Sequence, residues 1–288
     1  MRILDAAATR QALPMPDAIE AMEHAFSGDT EAPLRTLLGR SLVMPGRLDD
    51  LTAVKVVSIV PGNPVGLVVV FDGDGSPVGV VDGPTLTAIR TGAVAGLATR
   101  LLAAENAGVM AMLGSGAMAF DQIEGVRAVR GIEEVLVWSR TKERAEDLAA
   151  RVGGRAVADA DVAVAQANVV SCATPARLPL FSEGSVQPGT HVNAVGAFTP
   201  EMVELPPELL ERAFVVVDDV DAAAAEAGDL IQADRAPNTT LRELLAGTHP
   251  QIGEDVTVFK SVGIAAQDVA AAARALANAG RDRLGLLS

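Results

Sequence analysis

The chain has 288 residues, 49% of them apolar, and a formal net charge of −14 at pH 7, which is length enough to bury one large core or two ordinary ones. Its acidity excludes the clustered Lys and Arg on which binding to nucleic acid or an anionic membrane surface rests, and no apolar stretch reaches membrane-spanning length. A single cysteine, Cys172, excludes an internal disulfide; with an opening Met1–Asp5 that lacks the apolar core of a signal peptide, it leads us to expect a cytoplasmic protein.

In chain order, Pro16 to Phe26 has helical spacing, with Ile19, Met22 and Ala25 or Phe26 inward. Four apolar runs follow, Leu42–Met44, Ala53–Val60, Leu67–Phe71 and Val78–Val81. Gly, Asp and Pro turns separate them, which predicts a small antiparallel sheet. Thr87 to Ala104 reads as a long Ala-rich helix. From Gly108 onward strands and helices alternate, as a doubly wound parallel sheet requires. The strands are expected at 108–113, 135–138, 168–172, 191–195, 214–217 and 256–259, with helices at 117–130 and 142–152. A last helix, Ala265 to Ala279 with Gly280 as its stop, is expected to pack back on the N-terminal region. The fold class is α/β, with a doubly wound domain over 107–257 and a discontinuous α+β domain made of 1–106 and 258–288.

The stretch Leu113-Gly114-Ser115-Gly116-Ala117-Met118-Ala119 lies between a strand and a helix. Gly114 allows a tight turn, Gly116 lets a pyrophosphate approach the backbone, and small Ala119 lets helix and strand pack closely. The helix N-terminus offers unpaired N–H groups to the phosphate. A glycine turn in a domain without a ligand would look the same, so the end of the second strand carries more information. There, Trp138-Ser139-Arg140-Thr141-Lys142 lacks the acid that binds ribose hydroxyls in NAD-specific sheets. Arg140 can instead pair with a 2′-phosphate, with Ser139 and Thr141 donating hydrogen bonds. NADP(H) is therefore the expected cofactor and NAD(H) the alternative; a solvated helix start is the bland reading of the same residues.

Other chemistry is sparse. His24, His191 and His249 stand far apart, no Cys/His spacing suggests a metal site, and no G-x-S-x-G elbow or tyrosine occurs. Three cations stand out against the acidic background, Arg35, Lys55 and Arg90. Lys55 lies within Ala53-Val54-Lys55-Val56-Val57, where burial is costly unless the ammonium is paired or functional. At the exposed position of an edge strand it would instead be solvated.

Together these residues resemble the ornithine cyclodeaminase/mu-crystallin family, over nearly the entire chain. The matching stretches are Met44-Pro45, Val54-Lys55-Val56-Val57 through Pro61-Gly62-Asn63-Pro64, and Leu86-Thr87-Ala88-Ile89-Arg90-Thr91-Gly92-Ala93. Downstream they are Gly114-Ser115-Gly116, Asn193-Ala194-Val195-Gly196, Glu226-Ala227-Gly228 and Val258-Phe259-Lys260-Ser261-Val262-Gly263 with Gln267-Asp268. The resemblance implies a Rossmann domain inserted into a substrate-binding and dimerisation domain, and hence a homodimer. It also implies that Arg35, Lys55 and Arg90 face the substrate, the arginines holding its α-carboxylate, and that Thr91 approaches the nicotinamide. With the glycine turn, the strand-end residues Cys172, Ala173, Thr174, Val195 and Gly196 and the pair Ser261 and Val262 complete the expected cofactor-lining set.

Departures from the family pattern separate the reactions. In ornithine cyclodeaminases the stretch after Asn-Ala-φ-Gly carries an aspartate for the substrate's side-chain amine; here Phe198 stands there. Their glutamate two residues before Met-Pro is Leu42 here. An extra ammonium beside Leu42 and Phe198 would be buried without a partner, at a cost of several kcal/mol. The expected function is therefore an NAD(P)H-dependent reductase of a cyclic ketimine carboxylate, with Lys55 as proton donor or as a third carboxylate contact and Arg90 as the anchor. The alternatives are an alanine- or opine-type dehydrogenase acting on a keto acid, and a non-catalytic NADPH-dependent binder of small molecules.

Overall fold

The computed structural model describes residues 1–60, 65–250 and 255–285. It divides into two compact units, Met1–Ala93 with Ile264–Ser288, and Val94–Gly263. The first unit opens with β1 (Arg2–Leu4), α1 (Ala6–Ala12) and α2 (Met15–Ser27). Asp5 starts α1 by accepting a hydrogen bond from Ala8 N. Pro16 sits in the first turn of α2, where its missing N–H has no helical partner to lose. The strands β2 (Thr30–Glu31), β3 (Thr36–Leu38), β4 (Ser41–Leu48), β5 (Leu51–Ser58), β6 (Gly66–Phe71) and β7 (Pro77–Asp82) follow. Among the described residues the sheet order is β1-β7-β6-β5-β4-β2, with β3 also on β4. All these pairs are antiparallel except β1 with β7.

The helix α3 (Gly83–Leu102) comes next, its start fixed by Asp82, whose Oδ1 accepts from Thr85 N at 2.9 Å. The second unit then runs β8 (Val109–Leu113), α4 (Ala119–Arg127), β9 (Glu134–Trp138), α5 (Lys142–Val152), β10 (Arg155–Ala156), α6 (Ala160–Val164) and β11 (Val169–Cys172). It continues with β12 (His191–Ala194), α7 (Pro207–Arg212), β13 (Phe214–Val217), α8 (Val220–Glu226), α9 (Gly228–Gln232), β14 (Thr239–Thr240), α10 (Leu241–Ala246) and β15 (Thr257–Lys260). These strands form a wholly parallel sheet in the order β10-β9-β8-β11-β12-β15-β13-β14. The order reverses between β8 and β11, the place where open α/β sheets bind ligands. Met110, Met112, Val135, Val137 and Val169 pack there with Ile123 and Val126 of α4 and Leu148 of α5.

The chain closes in the first unit with α11 (Ala265–Gly285), which packs on α2 and across β4 to β7. Under it lies the register row Met44–Lys55–Val68–Val81, all four residues buried.

Differences from the sequence expectation are physical. The short β1, α1, β10 and β14 have too few residues to show a period. The helix α4 is shorter than 117–130 because residues before Ala119 form the turn, with Ala119 N bonded to Gly116 O at 3.1 Å. Gly280 does not end α11; Arg2 lies across the helix there and its Nη1 donates to Leu276 O at 3.0 Å. The units divide at 93/94 and 263/264 rather than at 106/107 and 257/258. Thr99 in the second half of α3 accepts a bond from Asn193 at 3.0 Å, and β15 is an interior strand of the parallel sheet. The stretch Pro61–Pro64 lies outside the described residues.

Candidate active site

In the first unit, β5 is flanked by β4 and β6, so Lys55 is not at an edge. Its side chain is 3% exposed, and Nζ lies 2.8 Å from Asp268 Oδ2 and 3.5 Å from Thr87 Oγ1. The other oxygen of Asp268 lies 3.4 Å from Arg90 Nε. Arg90 Nη1 also donates to Gln267 Oε1 at 2.8 Å. One helix turn of α3 thus supplies Thr87 and Arg90, and the first turn of α11 supplies Gln267 and Asp268. Burial pulls the Lys55 ammonium down to about 8; Asp268 opposes this, while Arg90 and Arg35 add to it. Burial works against the Asp268 carboxylate as well, but Lys55 and then Arg90 outweigh it and hold the acid below its usual range. Arg35 is half-buried and is felt by both groups. Thr91, on the next position of α3, is buried. Leu42 is half-buried on β4, paired with Val57.

In the second unit, Gly114 ends β8 at φ +117, a backbone conformation that side chains rarely adopt. A Cβ there would lie 2.8 Å from Ala173 O, so glycine allows the ends of β8 and β11 to meet. Gly114 N donates to Trp138 O at 2.8 Å, and Ser115 Oγ lies 2.8 Å from Ser139 Oγ. Gly116 and Ala117 are exposed, and nothing lies within 4 Å of where a Cβ on Gly116 would stand. Met118 precedes α4 without a side-chain cap, and Ala119 N, the first N–H of the helix, is bonded to Gly116 O at 3.1 Å. Arg140 and Thr141 are exposed beside half-buried Ser139. An open glycine approach, an uncapped helix start and an exposed arginine without a neighbouring strand-end acid fit a dinucleotide phosphate.

The other strand ends are braced from behind. Glu204 Oε1 accepts from Thr174 N at 2.6 Å and from Thr174 Oγ1 at 2.9 Å, while Oε2 accepts from Gly196 N at 2.7 Å. Val195 N and Ala173 N bond to Cys172 O and Leu113 O. Asp218 Oδ2 accepts from Ser261 Oγ at 2.7 Å and Val262 N at 3.1 Å. Lys260 Nζ lies 2.8 Å from Asp229 Oδ2 and donates to Ala197 O at 2.5 Å. The Cys172 thiol, expected to line the cofactor site, is wholly enclosed at the end of β11, and burial, with Glu204 and Asp229, pushes it well above its usual range. Phe198 is 40% exposed.

The model of the ornithine cyclodeaminase/mu-crystallin family matches residues 9–280. The chain belongs to that family. It is 34% identical over 305 residues to a Δ1-pyrroline-2-carboxylate reductase of Bacillus cereus, covering 93% of this chain and 94% of the relative. Among solved structures, the Δ1-pyrroline-2-carboxylate reductase of Thermococcus litoralis, in complex with NADH and L-proline, is similar at a TM-score of 0.91 and 30% identity, with 98% of each chain covered. An archaeal alanine dehydrogenase dimer with bound NAD is similar at a TM-score of 0.90 and 29% identity, covering 98% of this chain and 97% of that one.

Lys55 and Arg90 are brought together, with Arg35 near enough to act on them electrostatically; of the expected cofactor residues, Thr91 stands beside Arg90 on α3 in the first unit, and the others lie at strand ends and the turns that follow them in the second. Sequence reasoning did not assign Asp268, Gln267, Glu204, Asp229, Asp218 or Lys260. Glu204 and Lys260 carried a usable signal, since each is a charge within or ending an apolar run, as Lys55 is. Among the described residues no group of three His, Cys, Asp or Glu side chains could hold a metal ion, and no helix is long and apolar enough to cross a membrane.

Proposed function

We propose that this protein is an NAD(P)H-dependent reductase of a cyclic ketimine carboxylate, of the pyrroline- or piperideine-2-carboxylate type, that forms the cyclic L-amino acid. The observation that carries this reading is the charge balance around Lys55. The ammonium and the Arg90 guanidinium are both buried and share one carboxylate, Asp268, while Arg35 adds further positive charge. Surplus positive charge in a site shielded from water favours an anionic ligand. Arg90 and Arg35 hold the substrate carboxylate and fix the C=N group, and positioning of this kind removes much of a barrier. Leu42 and Phe198 give a second ammonium no partner, which turns the reading away from ornithine-type substrates.

A nicotinamide cofactor held at the Gly114–Met118 turn and by Ser139, Arg140 and Thr141 would supply the hydride for the imine carbon. Lys55 gives its proton to the ring nitrogen and recovers one from water, so one hydride and one proton convert the C=N bond to an amine. An ammonium that titrates near 8 is a stronger acid than an ordinary lysine and suits proton transfer close to neutrality. Because the protonated form is the donor, kcat/KM for reduction should fall as pH rises through about 8. If Lys55 only contacts the carboxylate, the loss would appear in KM and leave kcat flat.

The cofactor in this reading is NADPH ahead of NADH, on the strength of exposed Arg140 and the absence of an acid in Ser139-Arg140-Thr141. The assembly is a homodimer through the outer face of the first unit's sheet. Val43, Pro45, Val54, Val56, Leu67 and Val69 line that face, with Val56 42% and Leu67 54% exposed, an apolar patch of the kind that a partner covers. Steady-state NADPH oxidation tests the function. Δ1-Pyrroline-2-carboxylate and Δ1-piperideine-2-carboxylate should be turned over faster than pyruvate plus ammonia. A faster reaction with pyruvate and ammonia would make the protein an amino acid dehydrogenase, and tight NADPH binding without any turnover would make it a binding protein.

A further inference from the structure

The first turn of α11 lies unusually close to the sheet. Gly46 on β4 permits this, since a Cβ at that position would stand 2.8 Å from the Ala265 Cβ and 3.0 Å from the Ala265 carbonyl carbon. The close approach carries Asp268 to the register row that holds Lys55. Asp268 is 1% exposed, and its oxygens face protein cations in place of solvent: Oδ2 lies 2.8 Å from Lys55 Nζ and Oδ1 3.4 Å from Arg90 Nε, as ion-pair contacts. Gln267, also fully enclosed, takes Arg90 Nη1 through its Oε1 at 2.8 Å. The start of α11 also favours a carboxylate through its helix dipole.

We propose that Asp268 is the positioning residue of the reaction: one carboxylate, spread over two cations, aims Lys55 as the proton donor and Arg90 as the carboxylate anchor. This rests on the reductase reading for the roles of Lys55 and Arg90, but the coupling itself belongs to the folded protein. The charged groups that face Lys55 are Asp268 from α11, Arg90 from α3 and Arg35 from the segment before β3. Removing the negative charge leaves Lys55 among cations, so its proton is released at lower pH. Adding a carboxylate at Gln267, next to Arg90, acts in the opposite direction.

The chain has three lysines, Lys55, Lys142 and Lys260, so the ¹³Cε resonances of lysine-labelled protein can be assigned by substitution and followed through a pH titration. In Asp268→Asn the Lys55 resonance should titrate at least about one pH unit lower than in the wild type, a tenfold change in its proton affinity. The alkaline limb of kcat/KM should move with it. In Gln267→Glu both should move to higher pH, and KM for the substrate should rise as the new carboxylate competes for Arg90. Asp268→Glu should restore the position of the limb while kcat stays reduced. A purely structural Asp268 would lower activity by the same factor at every pH. A folded Asp268→Asn protein in which Lys55 titrates unchanged overturns the proposal. If that variant does not fold, an unmoved Lys55 titration in Gln267→Glu overturns it. Failure of the wild type to reduce any cyclic imine would overturn the reductase reading, and it would leave the Lys55 titrations to decide the coupling separately.

Discussion

Lys55 and Lys260 are both buried lysines at the ends of ion pairs, yet their surroundings are opposite in sign. Lys260 meets Asp229 at 2.8 Å, and Glu204 lies in the same network. The carboxylate oxygens there are taken up by the protein itself: Asp229 Oδ1 by Glu204 N and Leu205 N, Glu204 by the amides of Thr174, Gly196 and Ala197. That cluster carries more acid than base and ties strand-end loops together. Around Lys55 the cations outnumber the acid, and Gln267 and Thr87 are the neutral groups that touch them. The difference teaches that burial of a lysine does not indicate catalysis; the sign of the uncompensated charge does.

The largest effect should come from breaking the cation-rich side. Lys55→Met should lower kcat/KM by about 10²- to 10⁴-fold, the usual range for loss of a placed acid or base, and Arg90→Leu by at least about 10- to 100-fold, the worth of a charged contact to the substrate carboxylate, with NADPH binding measured by fluorescence titration close to wild type in both. Near wild-type turnover in either variant would remove the site assignment. On the acid-rich side the cost should fall on stability. Lys260→Met leaves Asp229 and Glu204 buried without their cation, which costs about 3–5 kcal/mol and should lower Tm in thermal unfolding. An unchanged Tm would show that the network is not what braces the loops.

A third prediction extends the contrast to a neutral group in the second unit. Fully buried His191 bonds Thr257 Oγ1 and Asn193 Oδ1, and burial lowers its pKa to about 4 from the ordinary 6.5. The unfolded chain therefore takes up a proton below about 6.5 that the folded chain refuses until about 4. Stability from this residue is complete above that window and declines as pH falls through it, by up to roughly 3 kcal/mol. Urea midpoints of wild type and His191→Gln across that range check it; equal slopes would refute it. The smallest effect belongs to an exposed cation. Arg140→Ala should reduce the preference for NADPH over NADH by roughly 10- to 100-fold, the worth of one charged hydrogen bond, measured as the ratio of kcat/KM values.

The same contrast shows what could be read in advance. The apolar runs of the parallel sheet, the glycine turn at Gly114 and Lys55 in its apolar strand were legible because each is a local pattern. Gln267-Asp268 stands among the stretches that carry the resemblance, but the role of Asp268 was not legible, since an acid in an Ala-rich helix looks like a solvated face until Gly46 brings that helix onto β5's neighbour. Glu204 interrupts Val203-Glu204-Leu205-Pro206 and Lys260 ends Thr257–Lys260, so both offered the signal that singled out Lys55. Their partners come from distant turns, which no local pattern reports. Nor could spacing show that β15 inserts between β12 and β13, because the order of parallel strands is set by crossovers and not by the strands themselves.

The central claim is that surplus buried cation selects a substrate carboxylate. It is tested most directly by NADPH oxidation with Δ1-pyrroline-2-carboxylate beside Δ1-pyrroline, the same ring without the carboxylate. With two charged contacts at stake, kcat/KM should be at least about 100-fold greater for the carboxylate, and Arg90→Leu should remove most of that difference. Equal rates for the two rings would contradict the account.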